Sequence, residues 1–196
     1  LKNWEYEKAR DYFAKAINRL TKDYTRPANC EALYLQGLTL KALELFDEAI
    51  DTLYRASWDY SWHSAAYIEL ARISVLQGDF TKALEQINES LSTNAVNNSA
   101  IALKAGILRK LYRSEDARKI LEPIALVDPL DFRTGYELYL LANIDGETEE
   151  SAGLLAELNV NMRRFSENYL ELAAGYINDG FVSEAEKVLL GCPYDN

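Results

Sequence analysis

Residues 67–87 read YIELARISVLQGDFTKALEQI. This segment is the clearest indication of the fold, because it contains two amphipathic segments joined by a short break. Apolar and small residues recur at spacings of three and four, which is the periodicity of a helix that packs against a core. They are Tyr67, Leu70, Ala71 and Ser74 in the first segment and Phe80, Ala83, Leu84 and Ile87 in the second. Between the segments Gln77-Gly78-Asp79 predicts a turn, since glycine permits backbone conformations that other residues avoid. The stretch therefore predicts a pair of antiparallel helices.

The second segment recurs along the chain as an aromatic or large apolar residue followed by alanine and another large apolar residue. The recurring alanines are Ala9, Ala49, Ala83, Ala117, Ala152 and Ala185. From Ala49 onward the step between them is about 34 residues. The first step is longer, and a loop from Thr21 to Pro27 accounts for the difference. A nearly constant step indicates one repeated unit, each copy of which buries its apolar face against its neighbours.

Each period divides into two predicted helices. The first helices span about 29–43, 63–77, 97–111, 131–142 and 164–179, and the second helices span about 3–21, 46–57, 80–92, 114–126, 148–158 and 182–190. Ser114 and Ser183 are predicted N-caps, and Glu186 would complete a capping box with Ser183. The alternating pattern typical of strands is absent from the sequence. We therefore expect an all-α protein.

These repeats resemble the tetratricopeptide repeat (TPR) family, whose pattern is W-x2-L-G-x2-Y…A-x3-F…P. The matching residues are Gly37, Leu40 and Ala49, then Tyr67, Leu70, Ala71, Gly78, Phe80 and Ala83, then Ile101, Ala105, Leu108, Ala117 and Pro129, and finally Tyr169, Leu172, Ala173, Tyr176, Gly180 and Ala185. The resemblance implies a single right-handed α-α superhelix over 1–196, a TPR-like solenoid of about five and a half helix-pair repeats. The implied repeats are 3–27 (second helix only), 29–61, 63–95, 97–129, 131–163 and 164–196, with a degenerate unit around Asn143 to Ala156.

A narrower resemblance rests on three segments, Asp128-Pro129-Leu130-Asp131, Tyr136-Glu137-Leu138-Tyr139-Leu140 and Tyr169-Leu170-Glu171-Leu172-Ala173. They are similar to the TPR region of large proteins of Bacteroidetes-type gut bacteria, which carry an uncharacterised β-rich domain ahead of their repeats and are suspected of a role in carbohydrate metabolism. The resemblance implies that this chain is one arm of a multidomain protein. The lack of an initiator Met, and a helix at 3–21 without a preceding partner helix, also lead us to expect a fragment of a longer protein.

The composition argues against several classes of partner. The formal net charge is -10, which disfavours binding to nucleic acid or to an anionic membrane surface. Cys30 and Cys192 are too few and too far apart to suggest a disulfide framework or a zinc site. No signal segment is apparent at the start of the sequence, so we expect a cytoplasmic location.

No set of residues in the sequence predicts catalysis. His63 is the one histidine, and we interpret it as a helix-end or groove residue rather than a general base. The run Glu147-Thr148-Glu149-Glu150 lies where a helix should begin, and acidic residues favour that end of the helix dipole. Glycine-rich phosphate loops and metal-ligand spacings are lacking. We therefore expect a protein that is not an enzyme and that needs no cofactor or metal.

The predicted function is that of a scaffold for proteins or peptides. In a solenoid of helix pairs the first helices line the concave side, so residues one place after the core stripe should face a groove. The groove residues that we would assign to peptide binding are Tyr34, Leu38, Lys41, Ile68, Glu69, Arg72 and Arg109, and Lys110, Glu137 and Glu171 should lie beside them. The cations Lys41, Arg72 and Arg109 suggest an acidic guest. The alternative is that they form salt bridges with Glu69 or its neighbours.

Two other roles compete with the peptide scaffold. A cluster of Trp58, Tyr60, Trp62 and Tyr67 could stack against a sugar, which would make the chain a carbohydrate-associated binding module. The alternative interpretation of this cluster is packing between repeats. The chain could also serve as a structural spacer or self-associate, because the predicted first helix has an apolar face that lacks cover. This face consists of Tyr6, Ala9, Phe13 and Ala16.

Overall fold

The computed structural model describes residues 5–23 and 25–193, and in these residues the regular structure consists of eleven α-helices without a strand. The helices are α1 (Tyr6–Leu20), α2 (Glu31–Ala42), α3 (Phe46–Ala56), α4 (Tyr60–Leu76), α5 (Phe80–Thr93), α6 (Asn98–Lys110), α7 (Ser114–Val127), α8 (Phe132–Asp145), α9 (Thr148–Asn161), α10 (Ser166–Asn178) and α11 (Val182–Leu190). The predicted start of the first helix at residue 3 lies outside the described residues, as do residues 194–196 of the last predicted repeat. None of the described helices combines the length and the apolar character needed to span a membrane.

The all-α solenoid is confirmed. Each helix that the periodicity predicted is present, and its described ends lie within three residues of the expected ones. Consecutive helices pack as antiparallel pairs, α2 with α3, α4 with α5, α6 with α7, α8 with α9 and α10 with α11, and α1 packs against α2. The first helices also contact one another, α2 with α4 and α6 with α8. These contacts place the first helices on the inner, concave side.

Every pair turns through one residue in the left-handed conformation. These residues are Glu44, Gly78, Tyr112, Gly146 and Gly180, evenly spaced along the chain, with φ angles from 57° to 85°. The residue after each of them donates its backbone N–H to a carbonyl five residues earlier, as Leu45 does to Leu40 and Asp79 to Ser74, at 2.9 to 3.0 Å. This is the Schellman motif, which satisfies a carbonyl left free at the helix end and reverses the chain.

The second helices from α3 onward share a small buried residue at their fourth position. It is Ala49, Ala83, Ala117, Ser151 and Ala185 in α3, α5, α7, α9 and α11. The sequence prediction of Ala152 for α9 is wrong by one residue, because Ala152 is exposed whereas Ser151 is only 6% exposed. With Ser151 in place, the step between units is constant from α3 to α11.

The prediction that Ser114 and Ser183 are N-caps is wrong. Ser114 is the first residue of α7 and Ser183 lies inside α11, and neither helix has a side-chain cap. The hydroxyl of Ser183 instead donates to the carboxylate of Glu184.

The unit formed by α8 and α9 is the one that the sequence indicates to be degenerate. In its first helix, a large and a small residue have exchanged positions. The other first helices have a large residue followed four positions later by a small one, namely Leu33 and Gly37, Tyr67 and Ala71, Ile101 and Ala105, and Tyr169 and Ala173. Helix α8 has Gly135 and Tyr139 at these positions. A Cβ atom at Gly135 would lie 3.4 Å from Cδ1 of Leu158, so the side chain of Leu158 from α9 fills the space that the large residue occupies elsewhere.

The last pair departs from regular stacking. The second helices α1, α3, α5 and α7 each pack against the next first helix, but α9 makes few contacts with α10. In the turn between α9 and α10, Arg163 and Arg164 both have positive φ, at 53° and 57°, and no other turn between described pairs contains such a residue. This turn directs α10 and α11 across the concave side. There a Cβ atom at Gly180 would lie 3.1 Å from Cγ1 of Val75 in α4.

We expect Gly37→Ala to destabilise the fold. A Cβ atom at this position would lie 2.6 Å from Cγ of Leu53, which is fully buried in α3 and cannot move aside freely. Overpacking of this kind should reduce the free energy of unfolding by about 1–3 kcal/mol. Chemical denaturation followed by circular dichroism would measure it.

The matched control is Gly153→Ala, because Gly153 lies in α9 and a Cβ atom there would meet no atom within 4 Å. This variant should gain about 0.5–1 kcal/mol, since alanine favours the helix more than glycine does. Equal stability of the two variants would contradict the close approach of α2 and α3.

Candidate functional site

The predicted groove residues lie on the inner side of α2, α4 and α6. Tyr34 is half-buried and stacks on Trp62, with ring centroids 4.9 Å apart. Leu38 is half-buried, and Ile68 packs against the main apolar core. The stacking of Tyr34 on Trp62 therefore joins α2 to α4, and Leu38, one helical turn after Tyr34, lies on the same face of α2.

The charged groove residues belong to one continuous chain of ion pairs. In order, the chain runs Lys41, Glu69, Arg72, Asp179, Arg133, Glu137, Arg109, Glu184 and Lys110, with cations and carboxylates alternating. It connects α2, α4, α6 and α8 to the last helix pair. The shorter links include Arg72 Nη1 to Glu69 Oε1 at 2.6 Å and Arg109 Nε to Glu137 Oε2 at 2.8 Å.

Two carboxylates from the last pair complete this chain. Asp179 lies within 3.0 Å of both Arg72 Nε and Arg133 Nη2. Glu184 lies 2.9 Å from Arg109 Nη1 and 2.6 Å from Lys110 Nζ. Asp179 is 107 residues from Arg72 in the sequence, so no local pattern predicted this pairing. Arg133, Asp179 and Glu184 are the site residues that sequence reasoning missed.

Burial and pairing shift the pKa values of these groups in different directions. Burial raises the pKa of Asp179, and the nearby Arg133 and Arg72 oppose but do not cancel this effect. Burial also acts on Glu184, but hydrogen bonds from Lys110, Ser183 and Arg109 outweigh it and lower the pKa of Glu184 to about 2. Burial alone would lower the pKa of Arg109, but the charge and hydrogen bonds of Glu137, together with Tyr176 and Glu184, outweigh it and raise that pKa, so Arg109 stays protonated.

An aromatic residue anchors the last pair in the concave side. Phe181 is only 2% exposed, and a Cβ atom at Gly106 in α6 would lie 2.7 Å from its ring. The charged ends of Arg109 and Lys110 lie 5.8 and 5.9 Å from the ring centroid. The glycine at 106 therefore provides the space that the Phe181 ring needs.

These contacts change the interpretation of the groove cations. Each of the three cations that suggested an acidic guest, Lys41, Arg72 and Arg109, is paired with a carboxylate of the chain itself. The alternative of salt bridges to Glu69 is present for both Lys41 and Arg72. Arg109 is 5% exposed beneath the last pair, so its charge faces other side chains instead of an open groove.

A cavity of about 700 Å³ remains beside α10 on the concave side. Its walls come from α4, from the starts of α6 and α8, and from α10. The polar residues of its lining include Arg72, Asn98, Ser99, Asp128, Asp131, Arg133, Glu171 and Asn178. Burial raises the pKa of Tyr34, and the charges of Glu69 and Arg72 also act on it, so the cavity that Arg72 lines lies near Tyr34.

The remaining candidate residues are engaged in packing or lie at the surface. Trp62 stacks on Tyr34, whereas Trp58 and Tyr60 are 49% and 77% exposed. His63 Nδ1 lies 3.0 Å from the carbonyl oxygen of Ser57, and its ring packs on Tyr67. Within residues 5–23 and 25–193, no group of three or more His, Cys, Asp or Glu residues could hold a metal ion.

The antiparallel pairs, their constant step and their concave first helices define a tetratricopeptide repeat fold. Solved structures of TPR proteins share this fold with the chain, as the sequence resemblance implied. A TPR protein from Parabacteroides merdae ATCC 43184 is 17% identical, with a TM-score of 0.70 over 97% of this chain and 81% of that one. YrrB, described as a TPR protein with an unusual peptide-binding site, is 15% identical, with a TM-score of 0.63 over 90% of this chain and 88% of that one.

MamA from Desulfovibrio magneticus RS-1 is 14% identical, with a TM-score of 0.63 over 84% of this chain and 93% of that one. No protein-family model and no curated protein matches the chain. The likenesses therefore define the fold. The narrower resemblance to large proteins with a β-rich domain stays a prediction.

We expect Glu184→Gln to weaken the docking of the last pair and to change the acid limb of the stability curve. The folded pKa of Glu184, about 2, lies below its unfolded value. The stabilisation is therefore fully present above about pH 4.3 and is lost as the pH falls toward 2. At pH 7 the variant should lose about 2 kcal/mol, and the difference from the wild type should shrink on acidification.

Urea denaturation between pH 2.5 and 7 would measure this difference. The control is Glu186→Gln, which changes an exposed glutamate of the same helix and should leave stability nearly unchanged. A Glu184→Gln penalty that stays constant with pH would show that its carboxylate does not stabilise the docked pair.

Proposed function

We propose that this chain is an interaction scaffold that holds a peptide segment of a partner protein on its concave side and catalyses no reaction. The observation that carries the proposal is the cavity of about 700 Å³ beside α10, which lies on the side of the first helices. A volume of this size is typical of pockets that hold ligands. The guest would extend from the cavity, past Arg72, to the surface of Tyr34 and Leu38.

The chemistry of this site suits a peptide. Asn98 and Asn178 line the cavity, and a carboxamide can both donate to and accept from a peptide backbone. Tyr34 and Leu38 are half-buried and offer apolar area for a side chain of the guest. The peptide-binding site described for YrrB, which has the same fold, supports the same kind of role here.

Of the seven groove residues predicted from the sequence, we assign direct contact with the guest to Tyr34, Leu38, Ile68 and Arg72. Lys41 and Glu69 support this surface through their ion pair. Arg109 has a different role in this proposal, because it binds Glu137 and Glu184 and so helps to hold the last pair in place.

The carbohydrate-binding and self-association roles stay predictions. Trp62 is engaged with Tyr34, so a sugar platform would have to use Trp58 and Tyr60. Helix α1 has no buried residue, and the face of Tyr6, Ala9, Phe13 and Ala16 on which the self-association prediction rests is half-buried. A glycan array would test the first role and light scattering at high concentration the second.

We expect peptide binding to be blocked by Ser99→Trp. Ser99 is exposed at the start of α6 and lines the cavity, so an indole there should fill the cavity without disturbing the core. Peptides selected from a random library against the full chain should bind this variant at least about tenfold more weakly, a change of about 1.4 kcal/mol. Fluorescence polarisation would measure the dissociation constants.

The matched control is Ser92→Trp, an exposed serine near the end of the second helix α5, which should bind the same peptides normally. Leu38→Glu should also weaken binding, because it places a charge in the apolar part of the proposed site. If the library yields no binding peptide, or if Ser99→Trp binds as well as Ser92→Trp, the proposed site is wrong.

A further inference from the structure

We propose that the guest of the concave cavity is a basic peptide segment carrying lysine or arginine, and not an acidic one. This inference rests on the proposed function and adds the chemical class of the partner. It reverses the expectation drawn from Lys41, Arg72 and Arg109 in the sequence.

The cations that line the cavity are already neutralised. Arg72 and Arg133 are the two cations that line the cavity, and both pair with Asp179. Arg72 also pairs with Glu69, and Arg133 approaches Glu137 at 3.8 Å. An acidic guest would have to compete with carboxylates that the fold holds in place, and would add a further negative charge beside them.

Three carboxylates that line the cavity have no cation beside them among the described residues. Asp128, Asp131 and Glu171 line the cavity, and none of them has an ion-pair partner among the described residues. Asp128 and Asp131 accept hydrogen bonds only from nearby groups of their own turn, such as the backbone N–H groups of Leu130 and Thr134. Glu171 is exposed on α10. The charge that the cavity offers to a guest is therefore negative.

One buried donor beside the cavity has no acceptor among the described residues. Nε of Arg133 is buried, and it has no hydrogen-bond acceptor among the described residues although the residue lines the cavity. A peptide carbonyl is a neutral acceptor that Nε would meet after a rotation of the Arg133 side chain toward the cavity, and it would add no negative charge. A peptide backbone with basic side chains thus matches both the Arg133 donor and the carboxylates of Asp128, Asp131 and Glu171.

The charge of the whole molecule favours the same partner. A net charge of -10 attracts a basic segment during diffusion and repels an acidic one. The preference for basic guests should therefore be strongest at low ionic strength and should weaken as salt is added.

The test uses pools of fluorescent hexapeptides in which one position is fixed and the others are randomised from uncharged residues. The fixed position is lysine or arginine in one pool, glutamine in the second, and aspartate or glutamate in the third. With the full chain at low salt, the basic pool should bind best and the acidic pool least. Fluorescence polarisation gives the dissociation constants, and the melting temperature checks that each variant is folded.

Two variants with the same change in net charge locate the effect. Glu171→Lys reverses a charge at the cavity, whereas Glu122→Lys reverses one on the exposed surface of α7. In Glu171→Lys a repulsive pair of charges replaces a favourable exposed pair. The binding of basic peptides should therefore weaken about fivefold to tenfold. Glu122→Lys should change their binding less than about twofold.

The outcomes separate this inference from the function on which it rests. Preferred binding of the glutamine or acidic pool, or equal losses in Glu171→Lys and Glu122→Lys, would overturn the basic guest and leave a peptide scaffold standing. If none of the three pools binds the wild-type chain, the scaffold proposal fails together with the inference.

Discussion

The left-handed residue that ends each first helix fixes the geometry on which the rest of the molecule depends. Its Schellman hydrogen bond reverses the chain after a single residue, so the second helix must return against the first. Glycine takes this conformation freely at three of the five turns, but Glu44 and Tyr112 adopt it at a cost of about 1–2 kcal/mol. The packing of each pair offsets this strain. Since the turn recurs at a constant interval, each pair presents the same inner face to its neighbours.

The path of the last pair depends on a second strained turn and on buried charge. Arg163 and Arg164 are both left-handed, a conformation that two non-glycine residues hold only when the surrounding contacts require it. Those contacts are Phe181 against Gly106, and Asp179 and Glu184 against arginines of α4, α6 and α8. Removing these charges from water is unfavourable, and the alternation of cations and carboxylates offsets that penalty only in one relative position of the helices. The ion pairs thus fix where the last pair docks.

The features that could be predicted from the sequence are those that depend on contacts within one repeat unit. Helix ends, the pairing of helices and most of the small residues follow from a local 3.6-residue period, and the structure confirms them. The repeat position of Ser151 was not predicted because serine replaces alanine there. The exchange of Gly135 and Tyr139 made the same unit look degenerate, although its turn is regular. The groove was predicted only in part. Arg72 reaches the concave side, where it binds Asp179, but the occupation of that side by α10 and α11 depends on a turn with no glycine and on contacts up to 107 residues apart.

The sign of charge at a binding surface is therefore a property of the folded network and not of the residues that face it. Lys41, Arg72 and Arg109 look like a cationic groove when they are read along their own helices. Once the fold supplies Glu69, Glu137, Asp179 and Glu184, their charge is balanced within about one unit, and the weak field of a neutral pair decays much faster with distance than that of a free ion. The carboxylates that line the cavity outside this network, such as Glu171, have no such partner among the described residues. When a helix pair of a solenoid docks in the solenoid's own groove, the ion pairs within the chain must be identified first. Only the charges that remain unpaired indicate the charge of the partner.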